Sequence, residues 1–520
     1  MQPREEKGMK HDGMYSALAR FFVVVGLLSV GLGGWGRKPG WALANSSHST
    51  LVVDQSNAPA TLDPGQQYDT DSYIVYRNIF DTLLQRNPRT LKIIPWIATS
   101  WKQHSAHVWT FSIRKGVTFQ DGTPLTAADA AFSLNRILDP AFHSPQFANF
   151  SVVKNAQAKG NVLTITTSSP SPTLLSYLTT LAIVPAKYVE TVGNERFNVH
   201  PIGSGPYKLR SWRQGSEVDL DANPHYWKGT SPFAHIIFRA VPNDASRVAD
   251  LQSGKADLAL ALTPDDTRIV KSQSGLQVLA TPTERVAYIA LNALGDTPTK
   301  SVQVRRAIGY AINYTAIIKN ILGGYGKPVK EVLTPYSFGY DTQIPGFTYD
   351  PAKAKKLWDS SGYKNQTMTF ITSPAYNQVI VQAIQGDLAR VGMKVKISTS
   401  DQATYLKKIQ SPAHDWGAIR YGRWSCSCLD ADGTLYPLFH AGTIWSSYSN
   451  RMVDQLLDAA RTATNKATRL KAYDEVLTSL QKDAPAMGLY QDYAIYGASS
   501  HLQWRPDPQE SFYVIQMRWT

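Results

Sequence analysis

Trp109-Thr-Phe-Ser-Ile-Arg-Lys-Gly-Val-Thr-Phe-Gln-Asp-Gly-Thr-Pro-Leu-Thr-Ala-Ala-Asp129 sets the local architecture around which the rest of the chain is read. Trp109, Phe111 and Ile113 alternate with Thr110, Ser112 and Arg114, the period of a half-buried strand. Asp121-Gly122 supplies a turn. Thr126 then caps a helix: its hydroxyl is placed to accept from the amide of Asp129, whose carboxylate reaches back as in a capping box. Ala130, Leu134, Ile137 and Leu138 form the apolar face of that helix. The pattern fixes local structure and no chemistry.

The start of the chain reads as a targeting segment. Arg4, Lys7, Lys10 and Arg20 precede the apolar run Phe21–Leu32, and Ala42-Leu-Ala44 follows it, the pattern of a secretory signal peptide over residues 1–44 cut after Ala44. The run is shorter than the roughly 20 apolar residues of a membrane span. Arg37 and Lys38 between the run and the cleavage site are atypical and leave an uncleaved anchor as the alternative. No Cys follows the run to accept a lipid, so the expectation is a mature protein soluble in a periplasm.

A chain of 520 residues exceeds what one hydrophobic core usually supports, so two or three domains are expected. Its 13 Trp and 26 Tyr are enough both to fill cores and to line a cleft that grips ligand. Residues 1–44 carry six basic and three acidic residues, so ten of the thirteen excess positive charges stay with the rest of the chain. Those charges are scattered, with only short pairs such as Lys355-Lys356 and Lys407-Lys408, and no basic stripe interleaved with aromatics marks a nucleic-acid face.

Patterns of catalysis and metal binding are fragmentary. Ser151-Val-Val-Lys154 has the spacing of a penicillin-binding enzyme without its partner motifs. Gly203-Ser-Gly-Pro-Tyr-Lys208 and Gly323-Gly-Tyr-Gly-Lys327 each lack a glycine that nucleotide loops require. Asp430-Ala-Asp-Gly433 lacks the remaining ligands of a calcium loop. Cys426 and Cys428, the only cysteines, stand one residue apart; a disulfide across so short a loop is expected to be strained, and with His414 and His440 they make no recognised zinc spacing. No catalytic residue, metal or cofactor is therefore expected.

Further motifs carry a resemblance. Thr61-Leu-Asp-Pro64, Asn78-Ile-Phe-Asp-Thr-Leu83, Ile94-Pro-Trp-Ile-Ala-Thr-Ser-Trp101, Pro201-Ile-Gly-Ser-Gly-Pro-Tyr207, Ala222-Asn-Pro-His-Tyr-Trp-Lys-Gly229, Leu251-Gln-Ser-Gly-Lys-Ala-Asp257 and Val304-Arg-Arg-Ala-Ile-Gly-Tyr-Ala-Ile-Asn313 follow one another along the chain. Residues 452–483 read as helices, with Leu470, Tyr473, Val476, Leu477 and Leu480 on one face, leading to Ala484-Pro485. In this order, with the opening stretch, they resemble the periplasmic solute-binding proteins of peptide, opine and nickel ABC importers, the family 5 extracellular solute-binding proteins. The resemblance implies a bilobed α/β periplasmic-binding-protein fold of type II, cluster C, with an extra inserted domain. Residues 45–88, 200–290 and 490–520 would form lobe I, 89–199 the inserted domain and 291–489 lobe III.

The resemblance also implies a function without chemistry: capture of a short peptide or peptide-like solute between the lobes and delivery to a membrane permease driven by a separate ATPase. The binding protein itself would be a monomer. It places Gln66, Gln67, Tyr68 and Thr70 at the cleft, together with the segment Arg423-Trp-Ser-Cys-Ser-Cys-Leu-Asp-Ala-Asp432. Peptide-binding members carry, three residues after a Trp, an Asp that pairs with the peptide amine; Trp424 fits, but the residue three later is Ser427. A hydroxyl cannot replace that charge. Asp430 or Asp432 then takes over the role, or the ligand lacks a free amine. Arg423, Trp424, Ser425, Ser427, Asp430 and Asp432 are the candidate contacts on this segment, with Tyr288 and Tyr376 as further stacking candidates. The alternatives are a metal chelate, haem or opine on the same fold, and an exported hydrolase using Ser151.

Overall fold

The computed structural model describes residues 49–67 and 69–520. The proposed signal peptide and Tyr68 lie outside the described residues. No helix among the described residues is long and apolar enough to cross a membrane.

A ten-stranded mixed sheet organises the molecule. Its order is Lys394–Thr399, Thr367–Thr372, Ile419–Trp424, Leu276–Leu291, Ala486–Ser499, Leu258–Ala259, Thr50–Gln55, His235–Ala240, Glu217–Ala222 and Tyr207–Arg213. Thr50–Gln55 pairs in parallel with both His235–Ala240 and Leu258–Ala259. Leu276–Leu291 and Ala486–Ser499 run antiparallel beside each other for most of their length, with irregularities between Pro282 and Val286 and between Ala287 and Tyr288. Proline cannot donate to a ladder, which accounts for the first break.

The two long strands join two hydrophobic cores. At one end Leu51, Val53, Ile79, Phe80, Tyr207, Leu220, Ile236 and Phe238 pack together with Tyr496 and Phe512. At the other, Ile289, Val304, Ile308, Trp358, Phe370, Ile384 and Ile419 form the second core. A helical cluster holding Leu435, Val453, Leu457, Tyr473, Val476 and Leu477 packs beside it. Leu470, expected on that buried face, is exposed; the helix Lys466–Asp483 turns Arg469 inward instead.

The opening stretch builds a separate antiparallel sheet. Val108–Ile113 lies between Ala98–Gln103 and Val162–Thr167, and Val153–Lys159 completes the order. Phe111 and Ile113 are buried as the alternation predicts, while Trp109 is half-buried. The helix Ala127–Leu138 starts where expected, and Asp129 Oδ2 accepts both the backbone N–H of Thr126 at 2.8 Å and its hydroxyl at 2.7 Å. Leu134 and Ile137 cover the sheet.

Two buried carboxylates fasten this small sheet to the large one. Asp63, from Thr61-Leu-Asp-Pro64, receives two bonds from Arg136 of the opening helix, at 3.0 and 2.5 Å. Asp81 accepts from Trp96 Nε1 at 2.7 Å, Trp227 Nε1 at 3.0 Å, Tyr226 Oη at 3.1 Å and Ser204 Oγ at 2.9 Å. Four of the motifs that carry the resemblance thus meet on one side chain. The turn at Gly203 passes so close to the backbone of Ile79 that a Cβ would lie 2.0 Å from its carbonyl oxygen, so only glycine brings Ser204 within reach.

Burial raises the Asp81 carboxyl above its ordinary value, and the four donors oppose that rise. A carboxylate satisfies four donors; an amide of the same shape has one accepting oxygen. Asp81→Asn is therefore expected to destabilise the protein by roughly 2–4 kcal/mol, since two buried donors would face an NH2 group. Denaturant unfolding monitored by tryptophan fluorescence checks this, and an unchanged midpoint would refute the role given to Asp81.

Candidate functional site

A cavity of about 790 Å³ lies where the three bodies meet. Gln67, Thr70, Tyr73 and Tyr76 come from the segment after Thr50–Gln55, Gln146 to Asn149 and Tyr177 from the small-sheet body, and Arg423 to Ser427 with Asp432 from the strand and loop beside the helical cluster. Glu284, Arg285, Gln509 and Glu510 complete the wall from the strand break and the C-terminal segment.

The strand Ile419–Trp424 delivers Trp424 to the wall, where its Nε1 donates to Gly433 O at 2.8 Å and its ring meets Trp445 edge-on at 5.4 Å. The chain then turns through Ser425 to Leu429. Cys426 and Cys428 are joined in a disulfide with Cα atoms 5.0 Å apart. A Cβ at Gly433 would lie 2.2 Å from Cys426 Sγ, so the first turn of the helix Asp432–Phe439 packs directly on the disulfide. Cys426 faces the cavity and Cys428 is buried beneath it. No group of three or more metal-ligating side chains occurs among the described residues.

The acidic candidates separate. Asp430 turns away from the cavity into a bidentate pair with Arg469, at 2.9 and 2.6 Å, and also accepts from Tyr473 Oη at 3.3 Å. Asp430 is a structural residue here, which corrects its assignment as a ligand contact. Asp432 lines the cavity with Arg461 Nε 3.4 Å away, and burial is the main reason its carboxyl is pushed up to about 6.

The other candidates also divide. Gln67 and Thr70 reach the cavity, Gln67 being buried with its Oε1 accepting from Tyr76 Oη at 3.1 Å. Gln66 does not; its amide donates to Phe142 O at 2.9 Å on the outside. Arg423, Ser425 and Ser427 line the wall, with Arg423 paired to Asp492. Tyr288 is buried away from it, its hydroxyl accepting from Arg420 at 3.1 Å, and Tyr376 is wedged between Tyr405 and Tyr421 at 5.4 and 5.3 Å. Both tyrosines are packing residues, as an apolar strand and a helix start demand. Ser151 reaches the rim, where its hydroxyl donates to Ala148 O at 3.3 Å, a carbonyl that cannot act as a base.

Glu284, Arg285, Gln509, Glu510, Tyr436 and Arg461 also line the wall and were missed. The signal for the first two is visible in hindsight: Thr281-Pro-Thr-Glu-Arg285 interrupts a strand with a proline and two charges. The C-terminal pair carries no local signal, because only long-range packing brings it there.

The family model "Bacterial extracellular solute-binding proteins, family 5 Middle" matches residues 92–446. The chain belongs to this family. The glutathione-binding protein GsiB of Escherichia coli is 29% identical over 470 residues, covering 87% of this chain and 91% of its own. The ABC transporter-associated periplasmic binding protein DppA of Helicobacter pylori, solved with the peptide STSA, shares 25% identity and a TM-score of 0.77, covering 90% of this chain and 98% of its own. AgaA of Agrobacterium tumefaciens, solved with agropinic acid, is 25% identical with a TM-score of 0.76, covering 91% and 99%. The architecture is the periplasmic-binding-protein fold of these family 5 solute-binding proteins, whose named relatives are binding proteins.

The Asp430 assignment has a measurable consequence. Asp430→Asn leaves the Arg469 guanidinium in a buried site without its counter-charge and is expected to cost about 3–5 kcal/mol, read as a lowered thermal midpoint. A variant as stable as the parent would show that the pair is not structural.

Proposed function

We propose that this family 5 protein is the receptor of an ABC importer, exported after cleavage at Ala44, acting as a monomer in the periplasm. It captures a short peptide or peptide-like solute and hands it unchanged to a permease powered by a separate ATPase. The observation that carries the reading is the cavity itself: three separate cores contribute to one wall, which combines aromatic faces at Trp424, Trp445, Tyr73 and Tyr436 with fixed charges and amides. Apolar faces with a few placed polar groups suit a ligand of mixed character such as a peptide. The names of GsiB and DppA support the same ligand class.

In this reading residues 45–88, 200–290 and 490–520 form lobe I, 89–199 an inserted domain and 291–489 lobe III; the separate sheet and core around Phe111 and Leu134 support the inserted domain, although Ala182, Val184, Val189 and Phe197 pack into the lobe I core. The irregularity at Pro282–Val286 serves as the bending point of the long strands. A ligand touching all walls only in the closed form shifts the open–closed equilibrium by its differential affinity, and the permease then recognises the closed form. A second reading, an opine as ligand, rests on the likeness to AgaA.

Mass spectrometry of solutes released from the purified, denatured protein tests the ligand class. A peptide is expected; a recovered opine would favour the second reading, and cleaved products would overturn binding without chemistry. With the recovered solute in excess the thermal midpoint should rise by mass action. Trp424→Ala should weaken the affinity on the order of tenfold, measured by calorimetry, because an aromatic face in the wall is lost.

A further inference from the structure

Four carboxylates and three guanidinium groups line the cavity: Asp69, Glu284, Asp432 and Glu510 against Arg285, Arg423 and Arg461. Most are already engaged. Glu510 pairs with Arg285 at 3.0 Å, Asp432 with Arg461 at 3.4 Å, and Arg423 with Asp492. Asp69 caps the helix Thr70–Tyr76, accepting from Ser72 N at 2.7 Å. Glu284 is the one left: among the described residues its carboxylate has no ion pair, and its only side-chain hydrogen bond comes from a neutral amide, Gln509 Nε2 to Oε2 at 3.2 Å.

The setting of Glu284 is built. Gln509 Nε2 also donates to Ser427 O at 3.0 Å, so one amide ties Glu284 to the Trp424 loop. The backbone N–H of Glu284 donates to Pro508 O at 2.9 Å, fixing the strand break against the C-terminal segment. Its side chain is half-buried in the cavity wall. We propose that Glu284 is the anchor for an ammonium group of the ligand, placing that group between the strand break and the Trp424 loop. The inference rests on the peptide reading above and names the specificity-determining residue of that cavity.

Burial is the first reason the Glu284 carboxyl is pushed up to about 7, and the charged or titratable groups facing it are Arg285, Glu510 and Asp507, with Arg86 and Tyr73 behind. A carboxyl in that state gains most from a cationic partner, because the ligand supplies the charge that desolvation makes costly to leave alone. Protonation below about 7 removes the anchor, so affinity should fall as the pH drops through that value. The ligand's own amine stays charged up to about 8.

Calorimetry on the mature protein and Glu284→Gln tests this, with free-amine tripeptides, glutathione, and their N-acetylated forms as probes. The Gln side chain keeps an oxygen for Gln509, and its thermal midpoint without ligand reports whether it folds. Free-amine peptides are expected to bind the parent and to lose on the order of tenfold or more in affinity for Glu284→Gln, with the pH dependence gone. N-acetylation should cost the parent as much and the variant nothing further. An N-acetylated tripeptide carrying lysine separates the sources: if it regains affinity only with Glu284 present, a side-chain ammonium is the group held. Free-amine peptides that bind parent and variant alike would overturn this inference and leave the peptide reading standing. If no peptide stabilises the parent, the peptide reading falls and this inference with it.

Discussion

The hydrogen bonds received by Asp81 are the constraint on which the geometry of the cavity depends. Trp96, Ser204, Tyr226 and Trp227 come from three separate stretches of chain, and each gives its donor to the same pair of oxygens. No cation sits at ion-pair distance from Asp81 among the described residues; neutral donors alone satisfy it. Buried polar groups carry a high penalty when left unmet, so the three stretches can adopt one mutual arrangement and few others. Asp63 and Arg136 repeat the device from the other side of the same junction, with the guanidinium also resting on the Phe142 ring at 3.9 Å. Together they set where residues 146–180 stand relative to the large sheet, and so where one wall of the cavity lies.

The remaining walls are pre-arranged by charge. Three guanidinium groups are held by carboxylates before any solute arrives, which leaves the interior close to neutral and spares an incoming molecule the cost of reorganising it. Selectivity then falls to what is left over: aromatic surfaces, amides such as Gln67 and Gln146, and one carboxylate. The disulfide of Cys426 and Cys428 belongs to this pre-arrangement, because the helix start at Gly433 leans on it while Trp424 bonds to the same glycine.

Local structure was legible where neighbours in sequence decide it. The strand, turn and capped helix of the opening stretch form almost as their alternation and capping residues require. Family membership was legible because motif order survives even where single motifs are weak. The cavity was only half legible. Trp424 and Asp432 lie on one loop and come together; Asp430, two residues away, is claimed by Arg469 from a helix far along the chain, a competition that no local pattern shows. Tyr288 and Tyr376 read as lesser stacking candidates that are more often packing residues, and Arg420, Tyr405 and Tyr421 enclose them. Glu284 and Gln509 were unreadable as a pair because 225 residues separate them.

The sheet order carries a consequence for biogenesis. Thr50–Gln55, near the beginning of the described chain, shares its core with Tyr496, Leu502, Phe512, Val514 and Met517, near the end, and Asn78 binds the backbone of both Phe512 and Val514. A nascent polypeptide on the ribosome therefore lacks the last pieces of its first core until residues 496–517 have been made. On the export proposed above this delay would be useful, because a precursor that cannot complete its first core early is easier to pass through a translocation channel.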